Sequence, residues 1–312
     1  MIYEKFGRVV KGLGGLFEVR ISDTEKPERL SCRAQGKLKR DEEKVLIGDL
    51  VRVTVDDSTP DGVAISEVMP RKNSLIRPPM ANLDYLFIVF AARKPNPVIE
   101  TVDKLISIAV HNGITPVVIV TKSDLDRGVT EEYLDIYNRV GIPTFVTSGV
   151  SGDGVEELSR YILEHVRGGA TAAFAGASGV GKSTLMNALF PSLTLATSEI
   201  SRKIERGRHT TRHVEIFDIT KDTDTGFLAD TPGFSLIDFA RFDFFDIDEL
   251  IPTFPELIPY VGKCRYADCS HVGEGAEDCA VARAVSEGII PESRIASYRA
   301  IYKVLKEKNK YE

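Results

Sequence analysis

An eight-residue string has the residue types and spacing of a phosphate-binding loop. Gly176-Ala177-Ser178-Gly179-Val180-Gly181-Lys182-Ser183 matches G-x-x-x-x-G-K-[ST]. Glycines let the backbone wrap closely around an anion, and successive amides at a helix N-terminus face the phosphates. Lys182 brings a positive charge to the β- and γ-phosphates, and the Ser183 hydroxyl suits Mg²⁺. The string predicts nucleotide binding, extended by Thr184, but it separates neither GTP from ATP nor a hydrolase from a kinase.

Two strings further upstream have the chemistry of a guanine site. Thr121-Lys122-Ser123-Asp124 resembles the [NT]-K-x-D motif, in which a carboxylate accepts hydrogen bonds from guanine N1–H and N2–H₂. Adenine lacks that pair of donors, so we expect Asp124 to select guanine and the Lys122 stem to lie along the base. Thr147-Ser148-Gly149 resembles the loop whose amides contact guanine O6. Each string alone is also compatible with an ordinary turn at a strand end.

A third string is typical of the switch that senses the γ-phosphate. Asp230-Thr231-Pro232-Gly233 fits D-x-x-G, with Asp230 in the outer shell of Mg²⁺ and the Gly233 amide at the γ-phosphate. Regulatory GTPases often carry Gln at the next position to orient the attacking water, whereas Phe234 stands here. Another group must therefore orient the water.

The basic segment 202–212 is the nearest candidate for the missing catalytic and switch residues. Thr210 or Thr211 is expected to complete the Mg²⁺ shell, and the sequence does not choose between them. The imidazole of His209 is able to orient water or stabilise charge near neutral pH. A role of His209 in contacting RNA or solvent is the alternative.

Three of the four cysteines lie together beside a histidine. Cys264, Cys269, His271 and Cys279 offer four ligands suited to tetrahedral Zn²⁺. Four protein ligands leave no open position, so the predicted role is structural. Free cysteines beside a surface histidine are the alternative. Cys32 lies far away and is expected to be a small core residue.

The elements that must position these residues change along the chain. The first 72 residues predict a small β-barrel, because Val51, Val53 and Val55 alternate with polar residues. Residues 6–10, 16–21, 30–34 and 63–68 are four further strand candidates. Five short strands fit an oligonucleotide-binding (OB) barrel and another small barrel equally well.

From residue 82 the pattern alternates between strand and helix. The predicted strands are 86–91, 116–120, 143–146 and 170–175, and the predicted helices are 99–111, 131–140, 155–166 and 182–189. Such alternation predicts a parallel sheet covered on both faces. Beyond residue 239 the regular period is lost until a predicted helix at 292–308.

The order of the motifs is rotated, because the guanine strings precede the phosphate loop and the switch. This order resembles the circularly permuted GTPases, and together with the flanking modules it resembles the ribosome small subunit-dependent GTPase A family. Beside the phosphate loop, the most specific strings are 207–212 (GRHTTR), 230–234 (DTPGF) and 254–256 (FPE). The resemblance implies an OB-like barrel at 1–72, a permuted α/β P-loop GTPase domain at 73–240 and a mainly helical zinc-binding domain at 241–312. It also implies a catalytic His209.

The same resemblance implies a function in assembly of the 30S subunit. GTP would be hydrolysed with Mg²⁺ on the subunit, late in its maturation, and hydrolysis would release a monomeric protein that contacts rRNA. A net charge of −6 disfavours a globally basic nucleic-acid binder, but residues 33–40, 202–212 and 303–310 carry local basic patches. The absence of a long apolar run or an apolar signal core predicts a cytoplasmic protein without a membrane segment.

Two other functions are compatible with parts of the sequence. A P-loop ATPase or small-molecule kinase would prefer adenine, against which Asp124 argues. An RNA-binding scaffold that binds GTP with little turnover is compatible with Phe234. Measuring GTP turnover with and without 30S subunits discriminates among the three.

Overall fold

The computed structural model describes residues 1–22, 28–36, 44–59, 62–191, 214–220, 224–230, 239 and 241–308, with Asp230 described for its backbone alone. Its strands are β1 (Ile2–Leu13), β2 (Leu16–Ile21), β3 (Glu28–Ala34), β4 (Leu50–Asp56), β5 (Val63–Val68), β6 (Ser74–Leu75), β7 (Met80–Ala81), β8 (Tyr85–Ala91), β9 (Thr115–Thr121), β10 (Thr144–Val146), β11 (Thr171–Ala175), β12 (Glu215–Asp218) and β13 (Phe227–Asp230). Its α-helices are α1 (Ile99–His111), α2 (Arg127–Arg139), α3 (Val155–His165), α4 (Lys182–Leu189), α5 (Ala280–Ser286) and α6 (Glu292–Lys308). Short 3₁₀ turns cover Ser123–Leu125, Ile247–Glu249, Ile251–Thr253 and Pro255–Tyr260.

The N-terminal strands close into the predicted barrel. Their order is β1-β2-β3-β5-β4, and β4 returns to pair with β1. All these pairs are antiparallel except β3 with β5, which is parallel. The alternating valines of β4 face a core that also holds Val9, Val19 and Ile65. Cys32 is 2% exposed in this core, which confirms its predicted packing role.

The chain divides into two compact units. One contains Met1–Tyr85, Ser159–Phe174 and Met186–Phe234, and the other contains Leu86–Leu158, Ala175–Leu185 and Ser235–Glu312. The predicted domain boundaries at residues 72 and 240 stay predictions beside this division. Each unit holds some of the predicted site residues, so the two are described separately.

In the first unit, the barrel continues into the strands that lead to the predicted switch. The order runs β11-β13-β12-β1, with β11 parallel to β13. The predicted parallel arrangement does not extend to β12, which pairs with β13 in the antiparallel direction. The difference arises because residues 219–226 are too few for the crossover that a parallel pair requires.

In the second unit, β8 and β9 are neighbours and β10 pairs with β9 in parallel, as the alternating pattern predicts. Helix α1 buries the predicted stripe of Val102, Leu105, Ile106 and Ala109. Helix α2 begins at Arg127, four residues before the predicted start, because the Asp126 side chain caps it by accepting from the Val129 amide at 3.1 Å. Helix α6 spans the predicted residues 292–308.

The described helices differ from membrane-spanning segments in length and hydropathy. None of them is long and apolar enough to cross a bilayer.

Candidate nucleotide and metal sites

The phosphate-loop string connects β11 to α4, as the motif requires. At Gly176 an added Cβ would lie 2.2 Å from the Val89 carbonyl oxygen, so only glycine permits this close approach. Ala177, Ser178 and Gly179 are exposed, and Ser183 is exposed at the start of α4. The loop therefore presents its backbone and the first turn of a helix to solvent, as an anion-binding site needs.

The lysine of the loop reaches back over its own turn. Lys182 Nζ donates to the Gly176 carbonyl at 3.2 Å. An ammonium in this position lies close to the exposed amides of the loop, where its charge adds to theirs in attracting phosphate.

The guanine string lies directly against the phosphate loop. The Thr121 hydroxyl contacts the carbonyl oxygens of Phe90 and Val180. Lys122 has a left-handed φ of +55°, and its ammonium donates to the Gly179 carbonyl at 2.7 Å and also contacts the Lys94 carbonyl. Residues more than fifty positions apart thus meet at one site, which is the juxtaposition that the rotated motif order predicts.

A short hydrogen bond holds the carboxylate of Asp124. Ser148 Oγ donates to Asp124 Oδ1 at 2.6 Å, and Ser148 Oγ accepts from the backbone amides of Val150 and Ser151 at 3.3 and 3.2 Å. The Ser123 amide donates to the Thr147 carbonyl at 3.2 Å. Both guanine strings therefore belong to one constellation, and the acceptor capacity left on Asp124 is available to a ligand.

These residues line one pocket. Its walls are Thr121, Lys122, Asp124, Leu125, Thr147, Gly149, Val150, Gly181, Thr184 and Leu185. The apolar wall formed by Leu125, Val150 and Leu185 was not predicted from the sequence. The position of a valine directly after the Thr-Ser-Gly string is the sequence signal that could have identified it, and Val150 is 89% exposed.

The base loop packs tightly on the phosphate-loop helix. A Cβ added to Gly149 would lie 2.8 Å from Thr184 Cγ2. The backbone of Gly149 is not left-handed, so contact with Thr184 and not φ favours glycine here. The pair therefore sets how closely the two sides of the pocket approach.

The side chains of the predicted switch residues lie outside the described part of the chain. Asp230 is the last residue of β13, and its side chain lies outside the described part of the chain. His209, Thr210, Thr211, Gly233 and Phe234 also lie outside the described residues. Their predicted roles stay predictions.

The predicted metal ligands converge. The ligand atoms of Cys264, Cys269, His271 and Cys279 lie within 4.8 Å of one another. Each Sγ is 3.5 Å from His271 Nδ1, and the Sγ atoms of Cys264 and Cys279 are 3.9 Å apart. The separations of 3.5 and 3.9 Å are those of ligands around one tetrahedral ion. The backbone amides of Ala280 and Ala282 donate to the sulfurs of Cys264 and Cys279, each at 3.4 Å.

The environment of the cluster favours ligation by neutral imidazole and metal-bound sulfur. Burial lowers the pKa of His271, which keeps its imidazole unprotonated at neutral pH. Burial raises the pKa of Cys269 to about 12, so a cation is needed to hold that sulfur as a thiolate.

Helix α6 supports the cluster through groups that sequence reasoning missed. The Tyr298 hydroxyl donates to the Ser270 carbonyl at 3.0 Å, and Arg299 Nε donates to the His271 carbonyl at 3.3 Å. His271 itself has a left-handed φ of +60°, a conformation that such outer contacts help to hold.

Comparison with known proteins places the same modules in the same order. The RsgA N-terminal domain model matches residues 6–63, and the RsgA GTPase model matches residues 68–240. A protein of Caldanaerobacter subterraneus subsp. tengcongensis, named small ribosomal subunit biogenesis GTPase RsgA, is 40% identical and the match covers 97% of both chains. A protein of the same name from Alkaliphilus metalliredigens is 36% identical, over 98% of this chain and 99% of the relative.

Solved structures give the same result for the fold. YjeQ from Thermotoga maritima superposes with a TM-score of 0.77 at 30% identity, over 97% of this chain and 99% of its own. YloQ, described as a circularly permuted GTPase, superposes with a TM-score of 0.76 at 28% identity, over 98% of this chain and 96% of its own. The rotated motif order therefore has a counterpart in a known fold.

Proposed function

Because the chain belongs to the RsgA GTPase family, we propose that it hydrolyses GTP and serves in the biogenesis of the small ribosomal subunit. The observation that carries the proposal is the contact between the guanine motif and the phosphate loop. Lys122 donates to Gly179 at 2.7 Å and Thr121 contacts Val180, which supports one site for base recognition and phosphate binding. The names of the relatives support the small subunit as the partner.

We assign the nucleotide contacts to the two guanine strings, the phosphate loop with Thr184, and Gly233. Asp124 would accept from the guanine edge, and Lys182 would neutralise phosphate charge. The full set is Thr121, Lys122, Ser123, Asp124, Thr147, Ser148, Gly149, Gly176, Ala177, Ser178, Gly179, Val180, Gly181, Lys182, Ser183, Thr184 and Gly233. The first sixteen of these residues belong to the guanine strings and the phosphate-loop segment, and the contacts between those segments support the assignment.

Mg²⁺ would enter with the nucleotide. The exposed hydroxyl of Ser183, at the start of α4, fits an inner-shell oxygen ligand. Thr210 or Thr211 would complete the shell, and Asp230 would act at its outer side. The ion would neutralise charge on the β- and γ-phosphates.

His209 is proposed as the residue that orients the attacking water, since Phe234 has no hydrogen-bonding group. His209→Ala should bind GTP as the parent protein does but lose the turnover stimulated by the small subunit. Stimulated kcat equal to that of the parent would remove His209 from the mechanism.

Zn²⁺ is the ion that the cysteine–histidine cluster fits best. A tetrahedral zinc with bonds of about 2.3 Å to sulfur and 2.0 Å to nitrogen requires ligand separations of about 3.8 Å (S to S) and 3.5 Å (S to N). The observed 3.9 and 3.5 Å agree with these values. With four protein ligands the ion would hold the fold of residues 264–279 and leave no position for substrate.

The wider proposal follows the family. The protein would act late in maturation of the 30S subunit, touch its rRNA, leave after hydrolysis, and work as a monomer in the cytoplasm. Basic segments 33–40, 202–212 and 303–310 support rRNA contact, which should weaken as salt rises.

GTP turnover measured with and without purified small subunits tests the proposal, with ATP as the comparison substrate. We expect GTP hydrolysis that rises when subunits are added and no comparable ATP hydrolysis. Binding of GTP without turnover in either condition would favour a GTP-binding RNA scaffold. Preference for ATP would favour an ATPase or kinase.

A further inference from the structure

The short strand β12 lies between the barrel and the strand that ends at Asp230. It pairs with β1 at Lys11↔Glu215 and with β13 at Glu215↔Asp230. Lys11, Glu215 and Asp230 therefore occupy adjacent positions on three neighbouring strands. Strand β12 is also the first described element after the segment predicted to carry His209 and the switch threonine.

Two ion pairs from the barrel hold β12 at its first and last residues. Lys11 Nζ lies 2.8 Å from Glu215 Oε2, and Arg20 Nε lies 2.5 Å from Asp218 Oδ1. Arg29 adds a longer contact to Asp218 at 3.7 Å. The four side chains of the two main pairs are 11–37% exposed, so solvent screens them less than it screens fully exposed pairs.

Arg20 also contacts β13, the strand that pairs with β12. Phe227, the first residue of β13, lies opposite Asp218. The guanidinium carbons of Arg20 and Arg8 lie 5.1 and 4.8 Å from the centre of its ring. Arg8 is 7% exposed and donates to Thr171 Oγ1 at 2.8 Å, which ties β11 to the same cluster. Barrel residues thus contact β11, β12 and β13, the strands of this unit that lie next to the phosphate loop or the predicted switch.

These contacts matter because the register of the strands decides where Asp230 lies. A slip by one residue moves every side chain of a strand to the opposite face. Strand β12 has four residues, and among the described residues its register with β1 is the single pair Lys11↔Glu215, so side-chain contacts add to few backbone pairs in fixing β12 against the barrel. We propose that the pairs Lys11–Glu215 and Arg20–Asp218 position the switch strands for GTP hydrolysis and thereby link barrel and switch.

This inference rests on the proposed GTPase activity and adds a group of positioning residues to it. The barrel pairs would not touch nucleotide. They would act through the position of Asp230, which lies opposite Glu215, so their loss should lower kcat and leave GDP binding unchanged. A partner that binds the barrel and shifts β1 would change the hydrolysis rate by the same route.

A charge-swap series tests the link. The variants are Lys11→Glu, Glu215→Lys and the double swap Lys11→Glu/Glu215→Lys, with Asp218→Asn for the other end of β12. The readouts are GDP affinity, basal and subunit-stimulated kcat, and thermal unfolding. We expect each single variant to lower kcat about 3- to 10-fold with GDP affinity within about twofold, because a small change in barrier height alters rate steeply. The double swap should recover at least half of the loss.

The matched control is a second ion pair on the same strand. Lys5 Nζ lies 2.7 Å from Glu28 Oε2. Glu28 belongs to the barrel strand β3 and not to β12. Lys5→Glu should alter barrel stability as much as Lys11→Glu does, but not kcat. An equal loss of kcat in Lys5→Glu would overturn the proposal, because barrel stability would then explain it.

Other outcomes separate this inference from the function on which it rests. If the parent protein hydrolyses GTP and Glu215→Lys does so at the same rate, the positioning role is wrong and the GTPase assignment stands. A double swap that stays folded yet recovers nothing also overturns the role. A parent protein without GTP turnover under any condition ends both proposals.

Discussion

Among single residues, Asp124 has the most specific chemistry. Its carboxylate lines the pocket and one oxygen accepts from Ser148 at 2.6 Å. Asp124→Asn places an amide where guanine needs two acceptor positions, so GTP affinity should fall about 10- to 100-fold, since a bidentate pair discriminates by about 1–3 kcal/mol. Xanthine has an oxygen in place of the 2-amino group, so the same variant should bind xanthosine triphosphate better than the parent does. Competitive nucleotide binding measures both changes.

Asp126 provides the control for that substitution. It is a carboxylate two positions away that caps α2 and contacts Arg93 at 3.0 Å. Asp126→Asn should leave the choice between guanine and xanthine unchanged. A switch of preference in Asp126→Asn, or none in Asp124→Asn, would contradict the assignment of Asp124.

Gly149 and Thr184 form a pair whose contact sets the width of the pocket. In Gly149→Ala the new methyl would lie 2.8 Å from Thr184 Cγ2, so either the Thr184 side chain must rotate or the base loop must move away from α4. We expect GDP and GTP affinity to fall about 3- to 10-fold, and Gly149→Ala/Thr184→Ala to bind better than Gly149→Ala, as coupled neighbours do in double-mutant cycles. Isothermal titration measures the four affinities.

Gly128 is the matched position for this test. A Cβ there would meet Asp126 at an ordinary 3.8 Å, so Gly128→Ala should bind nucleotide as the parent does. Additive effects of Gly149→Ala and Thr184→Ala would mean that the two residues do not act as a pair.

Among elements, the metal cluster and α6 depend on each other. Cys279 is fully buried and precedes α5, while Tyr298 and Arg299 of α6 bond the backbone beside His271. Cys279→Ser should lose the bound zinc and lower the midpoint of thermal unfolding, because ligand binding energy contributes to folding. Metal content by elemental analysis and a thermal melt test this.

Cys32→Ala is the comparison for Cys279→Ser. Cys32 is buried in the barrel core, so its loss removes packing but no ligand. The variant should keep its full zinc content. Full zinc content in Cys279→Ser would show that the cluster is not the metal site.

Elements with a local signal were predictable, and those that depend on distant partners were not. Helix α1 matches its predicted bounds because its apolar stripe repeats at helical spacing. Strand β12 has four residues with charged ends, and those ends pair with barrel residues some two hundred positions away. Helix α5 has seven residues beside the metal cluster, a length too short to show a periodic pattern.

In the candidate site, the contacts that follow from motif spacing were predictable and the other contacts were not. Motif spacing predicts that the guanine strings and the phosphate loop meet, and the contact of Thr121 with Val180 confirms it. The contact of Lys122 with the Lys94 carbonyl and the apolar wall at Val150 were not predicted. Both arise from loops brought together by the fold, and no local pattern marks a carbonyl as an acceptor.

In the molecule as a whole, a buried charged cluster joins the C-terminal helix to the nucleotide-binding unit. Arg294 of α6 is completely buried, with NH1 2.5 Å from Asp103 Oδ1 on α1 and Nε 2.7 Å from Glu256 Oε1. Burial alone would lower the pKa of Arg294, but Asp103 and Glu256 raise it above its ordinary value, so the guanidinium stays charged. Its carbon also lies 4.5 Å from the centre of the Phe254 ring.

Removing that arginine leaves two carboxylates buried without their counter-ion. Arg294→Met keeps much of the side-chain volume, yet the free energy of unfolding should fall by about 3–5 kcal/mol, the usual cost of breaking a buried pair from one side. Urea unfolding, followed by far-UV circular dichroism, measures the change. Nucleotide affinity at low urea should fall less, because none of the three charged residues lines the pocket.

An exposed pair in the same part of the chain provides the control for the size of this effect. Arg265 NH1 lies 2.9 Å from Asp278 Oδ1, but the Arg265 side chain is 68% exposed. Arg265→Met should change the free energy of unfolding by less than about 1 kcal/mol, since water screens such pairs. Equal losses in the two variants would mean that burial adds nothing to the Arg294 cluster. A much larger loss in Arg294→Met would make α6 an integral part of the unit that holds the guanine pocket, so that the C-terminal segment and the nucleotide site unfold together.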